Sequence, residues 1–171
     1  TLPSRFMLVC AMNPCRCGWY GHPDRKCTCS ERQVESYMRR ISGPLLDRID
    51  LHVEVPSVDY EAMRRKDTPE SSAEVQKRVN AARAVQQRRY AGTDVSCNAY
   101  MTPPMIGKYC ELDERCEKLM RGAFDRLGLT GRSHDRILRV ARTIADLDGS
   151  ENIRPEHLSE AIQYRSSDLL K

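Results

Sequence analysis

Two closely spaced pairs of cysteines, Cys15 with Cys17 and Cys27 with Cys29, lie near the start of this 171-residue chain. Thiolates are strong zinc ligands, and four of them complete a tetrahedral structural site. The loop that carries them, residues 12–30, holds few apolar side chains, so it cannot fold by burying surface. We therefore expect a structural zinc site. Disulfides, free thiols and a redox role are the alternatives, because each pair is spaced Cys-x-Cys rather than the usual Cys-x2-Cys.

The same loop carries two aromatic residues and a histidine. Trp19 and Tyr20 could serve as a platform for nucleic-acid bases or for a partner protein, or they could pack against the loop itself. His22 could replace one cysteine as a metal ligand.

The composition is that of a cytoplasmic protein rather than a secreted or membrane one. Only four of the eight cysteines cluster, and 30% of the residues are charged, which is unlike a secreted disulfide scaffold. The sequence has no apolar run of the ~18 residues that a membrane span requires. The 22 arginines against 6 lysines favour recognition of phosphates or pairing between subunits, although the net charge of +4 identifies no partner.

Hydrophobic patterning predicts a mainly α chain with a small β part. The apolar run 6–11 and the alternating segment 51–55 are predicted strands, separated by a helix with a capping box at Ser30 and Gln33. A polar linker is predicted at 58–70. We interpret the chain, which begins abruptly at Thr1, as a piece of a longer protein.

Residues 71–171 are predicted to be entirely helical. Cap residues, proline at first helical positions and terminating glycines mark each helix. The predicted helices run from Ser71 or Ser72 to about Tyr90, Thr102 to Tyr109, Asp113 to Leu127, Thr130 or Ser133 to Leu147, and Arg154 to about Arg165. Val75, Val79, Ala82 and Val85 are predicted to form the inner face of the first of these helices.

Two residues beside the predicted strands are candidates for phosphate chemistry. Asn13 follows the first strand, where a short amide can orient a water against a terminal phosphate; the alternative is a plain Asn-Pro turn. Arg48 lies between Asp47 and Asp50, just before the second strand, where it could reach a phosphate across a subunit boundary. The alternative for Arg48 is an Asp–Arg pair within the subunit.

Three arginines share one face of the helix that runs to Leu147. Arg132, Arg136 and Arg139 are spaced i, i+4 and i+7, so their guanidinium groups repel one another unless anions or acidic side chains lie beside them. Arg132 lies in the first turn, where the helix dipole also attracts a phosphate. A solvated face is the usual explanation for such a stripe.

The sequence has no Gly-x4-Gly-Lys-Ser/Thr phosphate loop and no apolar strand ending in Asp-Glu. We therefore expect this chain alone to be inactive as a nucleotide hydrolase.

Four segments closely resemble the bacterial magnesium-chelatase-like AAA-plus ATPases, and among them the competence-associated helicases that drive branch migration in natural transformation. They are VCAMNPCRCG (9–18), ISGPLLDRIDLHVEVP (41–56), RVARTIADL (139–147) and AIQYR (161–165). The resemblance implies that residues 1–57 form the C-terminal strands of an AAA-plus α/β core, and that residues 71–171 form its helical lid.

The resemblance also implies a role for each candidate residue. Asn13 would be the sensor-one residue and Arg48 an arginine finger acting in trans. Arg132 would be the sensor-two arginine that contacts ATP phosphate, with Arg136 as the fallback.

The resemblance implies that the full-length protein is a hexameric motor of the bacterial cytoplasm that binds ATP and Mg. It also implies that this motor acts on DNA as a helicase in branch migration. Two alternatives stay open. One is the ATPase motor of a metal chelatase that remodels a partner enzyme, and the other is a zinc-stabilised interaction module. The cysteine loop, which we associate with the DNA-handling branch of the family, favours the first reading.

Overall fold

The computed structural model describes residues 6–58, 60, 64 and 70–165. The chain divides into two compact units, Thr1–Leu46 and Asp47–Lys171. The predicted domain limits, 1–57 and 71–171, stay predictions, and most of the predicted linker, 58–70, lies outside the described residues, as does the end of the predicted lid, 166–171.

The first unit contains the cysteine loop and the helix α1 (Glu31–Met38). The Ser30 hydroxyl accepts a hydrogen bond from the Gln33 N–H, and the Gln33 side chain accepts one from the Ser30 N–H. This is the predicted capping box, which satisfies N–H groups that the first helical turn leaves without partners. Because α1 starts two residues after Cys29, it fixes one end of the cysteine loop. The short helix α2 (Gly43–Arg48) follows and crosses the boundary between the units.

The second unit confirms, over the described residues 70–165, the prediction that the regular structure of this part of the chain is entirely helical. It contains α3 (Ser72–Arg89), a 3-10 helix (Asn98–Tyr100), α4 (Pro103–Tyr109), α5 (Glu114–Leu127), α6 (Gly131–Leu147) and α7 (Pro155–Gln163).

Local cap chemistry explains where these helices begin and end. The Asp113 carboxylate accepts a hydrogen bond from the Cys116 N–H over 2.7 Å at the start of α5. Gly128 ends that helix with a φ of +59°, a left-handed conformation that glycine adopts without a steric penalty. Thr130 then caps α6 by accepting from the Ser133 N–H.

Helix α6 is the centre of the second unit. It contacts α3, α4, α7 and the 3-10 helix. Its inward residues Ile137 and Ala141 are fully buried, together with Leu158 of α7 and Cys116 of α5. Burial of this apolar face supplies most of the stability of such a helix, so α6 holds any residue on its first turn in a fixed place.

The prediction for α3 is only partly correct. Ala82 is buried as expected, but Val75 and Val79 are 40% and 41% exposed. Every residue from 72 to 81 is exposed, because only the second half of α3 packs against α6. No described helix combines the length and the apolar character needed to cross a membrane.

The two predicted strands are not seen among the described residues. Residues 6–11 and 51–55 form no regular secondary structure, and Val9 and Val55 are 79% and 84% exposed. A strand obtains its backbone hydrogen bonds from neighbouring strands, and the described residues contain no strand that pairs with either run. The hydrophobic pattern identified the apolar segments correctly, but it could not show which strands would pair with them.

Candidate functional site

The four predicted zinc ligands lie together in the first unit. The Cys15 and Cys17 sulfurs are 3.3 Å apart, and the Cys27 sulfur lies 3.7 Å from the first and 3.4 Å from the second. All four sulfurs, including that of Cys29, lie within 4.8 Å of one another. Four thiolates at ~2.3 Å from a zinc ion would be separated by about 3.8 Å. The donor set is therefore compatible with zinc, and all eight cysteines of the chain are free thiols.

The backbone around the cluster favours the thiolate form of one ligand. Hydrogen bonds from the backbone at Trp19 and Thr28 lower the pKa of the Cys17 thiol to about 5. A turn closed by the Gly18 N–H and the Cys15 carbonyl, 3.1 Å apart, brings the first pair together. Gly18 has a φ of +81°, which explains glycine at this position. Such donors are what a charged sulfur ligand requires.

The aromatic part of the loop packs against the loop itself. The Arg25 guanidinium lies 4.2 Å from the Trp19 ring centroid, and the His22 ring meets the same indole edge-on at 5.1 Å. The His22 Nδ1 accepts hydrogen bonds from the N–H groups of Asp24 and Arg25. That nitrogen is therefore engaged in a turn, and the group of described side chains that could hold a metal ion consists of the four cysteines. Tyr20 is 55% exposed.

Asn13, the predicted sensor-one residue, lies next to this loop. It is exposed, and its side-chain amide lies 3.9 Å from the position that a Cβ atom would occupy on Gly18. The turn of the cysteine loop thus borders the Asn13 amide.

Arg48, the predicted arginine finger, belongs to the second unit. Its side chain is exposed at the end of α2, whereas its backbone carbonyl accepts a hydrogen bond from Arg136. Four residues later, the His52 N–H donates to the Tyr164 carbonyl over 2.9 Å. We call residues 47–52 the finger segment. Its backbone is attached to α6 and to the end of α7.

The three arginines of α6 do not form a solvated stripe. The Arg136 Nη1 lies 3.0 Å from the Asp50 Oδ1, and the Arg139 Nη2 donates to the Met101 carbonyl over 2.9 Å. Arg132 is exposed and makes no hydrogen bond or ion pair within the described part of the chain. Of the two sensor-two candidates, Arg136 is engaged in a structural contact, and Arg132 is available to a ligand.

Sequence reasoning missed Arg165. Its side chain is 3% exposed and forms an ion pair with Asp47, with Nη2 2.9 Å from Oδ1. The only signal in the sequence was its position at the end of the segment AIQYR (161–165), for which no role was predicted. Buried arginines are rare unless they are paired, so this contact is a specific feature of the finger segment.

Two family descriptions match the chain. Residues 69–165 match "Magnesium chelatase, subunit ChlI C-terminal", and residues 1–63 match "Magnesium chelatase, subunit ChlI". The two ranges together cover nearly the whole chain.

Several bacterial proteins are similar over nearly the full chain. "Uncharacterized protein YifB" of Escherichia coli is 42% identical over 171 residues, which are 99% of this chain and 33% of YifB. "Competence protein ComM" of Haemophilus influenzae is 40% identical over 165 residues, 96% of this chain and 31% of ComM. "Uncharacterized protein Rv2897c" of Mycobacterium tuberculosis is 33% identical over 165 residues, 96% of this chain and 32% of that protein. The chain spans about a third of the length of these relatives.

Proposed function

The chain belongs to the family of magnesium chelatase subunit ChlI, and we propose that it is the C-terminal part of a hexameric AAA-plus ATPase that drives branch migration of DNA in the cytoplasm. The observation that carries this proposal is that Arg48 and Arg132 are both exposed while the elements that bear them are attached to the packed helical unit. Exposed guanidinium groups on a fixed scaffold suit the recognition of phosphate.

Arg48 is the proposed arginine finger. In the assembled ring its guanidinium would reach the nucleotide site of the neighbouring subunit and stabilise negative charge there. Bound ATP with Mg supplies the phosphoryl group, and the residues that hold it would lie outside this chain. A cation supplied in this way accelerates phosphoryl transfer by about 10³–10⁵.

Arg132 and Asn13 have the other two proposed roles. Arg132 lies in the first turn of α6, where the helix dipole adds to the attraction of its own charge for a phosphate. Asn13 would orient the attacking water through its exposed amide.

DNA is the proposed substrate of the motor. The similarity to a protein named for competence supports this choice, as does the cysteine loop, which resembles that of the DNA-handling branch of the family. The family description favours a second candidate, in which the same ring remodels a partner enzyme that inserts Mg into a porphyrin.

ATPase turnover of the full-length protein tests the motor. We expect Arg48→Ala to lower kcat by about 10³-fold or more, whereas Arg115→Ala, which removes an exposed arginine of α5, should leave it unchanged. Turnover that is indifferent to Arg48 in an assembled ring would refute the finger. If the full-length protein has no ATPase activity, the motor is refuted and the zinc-stabilised interaction module becomes the favoured function.

Binding of branched and single-stranded DNA separates the DNA motor from the chelatase motor. We expect the full-length protein to bind both, with affinity falling steeply as salt rises, because phosphate contacts release counterions. Branched DNA should also stimulate ATP hydrolysis. An active ATPase that neither binds DNA nor responds to it would support the chelatase candidate.

A further inference from the structure

The finger segment is attached to the helical unit at three consecutive backbone carbonyls. The Arg165 guanidinium lies 2.5 Å from the Ile49 carbonyl oxygen and 3.5 Å from that of Asp47. Between them, the Arg48 carbonyl accepts from Arg136. Two guanidinium groups therefore fix the backbone on both sides of the Arg48 side chain.

Arg165 is the better buried of these two arginines. Its side chain is 3% exposed, compared with 21% for Arg136. Burial lowers the pKa of the Arg165 guanidinium, and the charge of Asp47 opposes that shift. An arginine buried to this degree requires a carboxylate partner. The pair consequently determines where Asp47, the residue before Arg48, lies.

The same carboxylate is bonded to the first turn of α6. The Ser133 hydroxyl donates to the Asp47 Oδ1 over 3.1 Å, and the Arg165 Nη2 lies 3.3 Å from that hydroxyl. Ser133 directly follows Arg132, and Asp47 directly precedes Arg48. The hydrogen bond between Ser133 and Asp47 therefore joins the immediate neighbours of the two exposed arginines.

We propose that Arg165 is a positioning residue for Arg48: through Asp47 and Ser133 it holds the finger segment against the first turn of α6, so that phosphate binding at Arg132 is transmitted to the finger. The inference rests on the proposed roles of Arg48 and Arg132. It assigns a function to the segment AIQYR (161–165), whose last residue is distant in sequence from both arginines. Coupling through one buried pair is testable by a double-mutant cycle.

The test is made in the full-length protein with Arg165→Ala, Arg48→Ala and the double variant. We expect Arg165→Ala to lower the ATPase kcat by about 10²-fold, the order of loss for a displaced catalytic group, with the KM for ATP unchanged. The double variant should be no slower than Arg48→Ala alone, because Arg165 acts through Arg48. Arg165→Lys, which keeps the charge without the planar fork, should recover part of the loss.

Arg139→Ala is the matched control, because Arg139 bonds the Met101 carbonyl and no part of the finger segment. Any loss it causes should multiply with that of Arg48→Ala. The positioning role is overturned if the fold-loss in kcat caused by Arg165→Ala multiplies with that caused by Arg48→Ala, or if Arg165→Ala leaves kcat unchanged. The role of Arg48 as the finger would still stand. If Arg48→Ala is itself without effect, the proposed function fails instead.

Amide hydrogen exchange in the 171-residue chain tests the attachment without any nucleotide. We expect Arg165→Ala to speed exchange at His52, whose N–H donates to Tyr164, and at no amide of α5. Unchanged protection of His52 overturns the attachment, whatever the ATPase result.

Discussion

Arg142 and Asp146, one turn apart on α6, form an ion pair in which the two side chains are 3% and 0% exposed. The carboxylate also pairs with Arg89 of α3 and accepts a hydrogen bond from the Asn98 amide over 2.8 Å. Arg142 in turn donates to the backbone carbonyls of Ser150 and Glu151. One buried carboxylate thus joins α3, the 3-10 helix and α6.

Replacing Asp146 should therefore be strongly destabilising. Asp146→Asn keeps the shape but leaves the buried Arg142 guanidinium and the half-buried Arg89 guanidinium without a countercharge, and removal of one member of a buried pair costs about 3–5 kcal/mol. We expect the free energy of unfolding of the chain, measured in urea, to fall by that amount. Glu114→Gln breaks the exposed pair with Lys118 and should cost no more than ~1 kcal/mol. Equal losses for the two variants would contradict the structural role of Asp146.

Removal of metal should disorder the cysteine loop. We expect the purified chain to contain about one zinc ion. A chelator should remove this ion, and the four cluster thiols should then become reactive. Because Arg25 stacks on Trp19, the tryptophan fluorescence should change in the same titration. Cys15→Ser should abolish zinc binding, since Cys15 is 1% exposed at the centre of the cluster.

Cys97→Ser is the control for that experiment, because Cys97 lies outside the cluster and should not affect zinc content. A chain that holds no metal and whose cluster thiols react freely before any chelator is added would refute the zinc site.

The elements that the sequence predicted well are those determined by local chemistry. Ser30 with Gln33 and Asp113 form the predicted caps, and Thr130 is the cap of the two predicted alternatives, Thr130 and Ser133. A cap depends only on residues within one helical turn. The four-cysteine cluster was predictable for a similar reason: glycine turns between the pairs bring the sulfurs together.

The features that the sequence did not predict depend on residues far apart in the chain. Arg165 meets Asp47 across 118 positions, and Arg89 meets Asp146 across 57. No periodicity connects such pairs, and an isolated arginine is usually a surface residue. The prediction of strands was wrong for a related reason, because the apolar run 6–11 has no neighbouring strand among the described residues.

Acid should weaken the start of α5 through Asp113. The Cys116 N–H donates to this carboxylate and lowers its pKa. Because the folded pKa lies below the unfolded value of about 3.9, the stabilisation is complete above that value and is lost as the pH falls through the folded pKa. Asp113→Asn cannot titrate, so the difference between the urea midpoints of the original and variant chains should shrink from neutral pH to about pH 3. A difference independent of pH would contradict this assignment.

Substitution of the two sensor-two candidates, Arg132 and Arg136, should have different effects on the stability of the chain and on ATPase turnover. Arg136 pairs with Asp50, so Arg136→Ala should lower the free energy of unfolding of the chain by up to about 1 kcal/mol. Arg132 has no partner in the described part of the chain, so Arg132→Ala should leave the urea midpoint unchanged. In the full-length protein, however, Arg132→Ala should reduce ATPase turnover by about 10²-fold, as expected for loss of a group that contacts developing charge. Full turnover in Arg132→Ala would contradict the sensor role of Arg132.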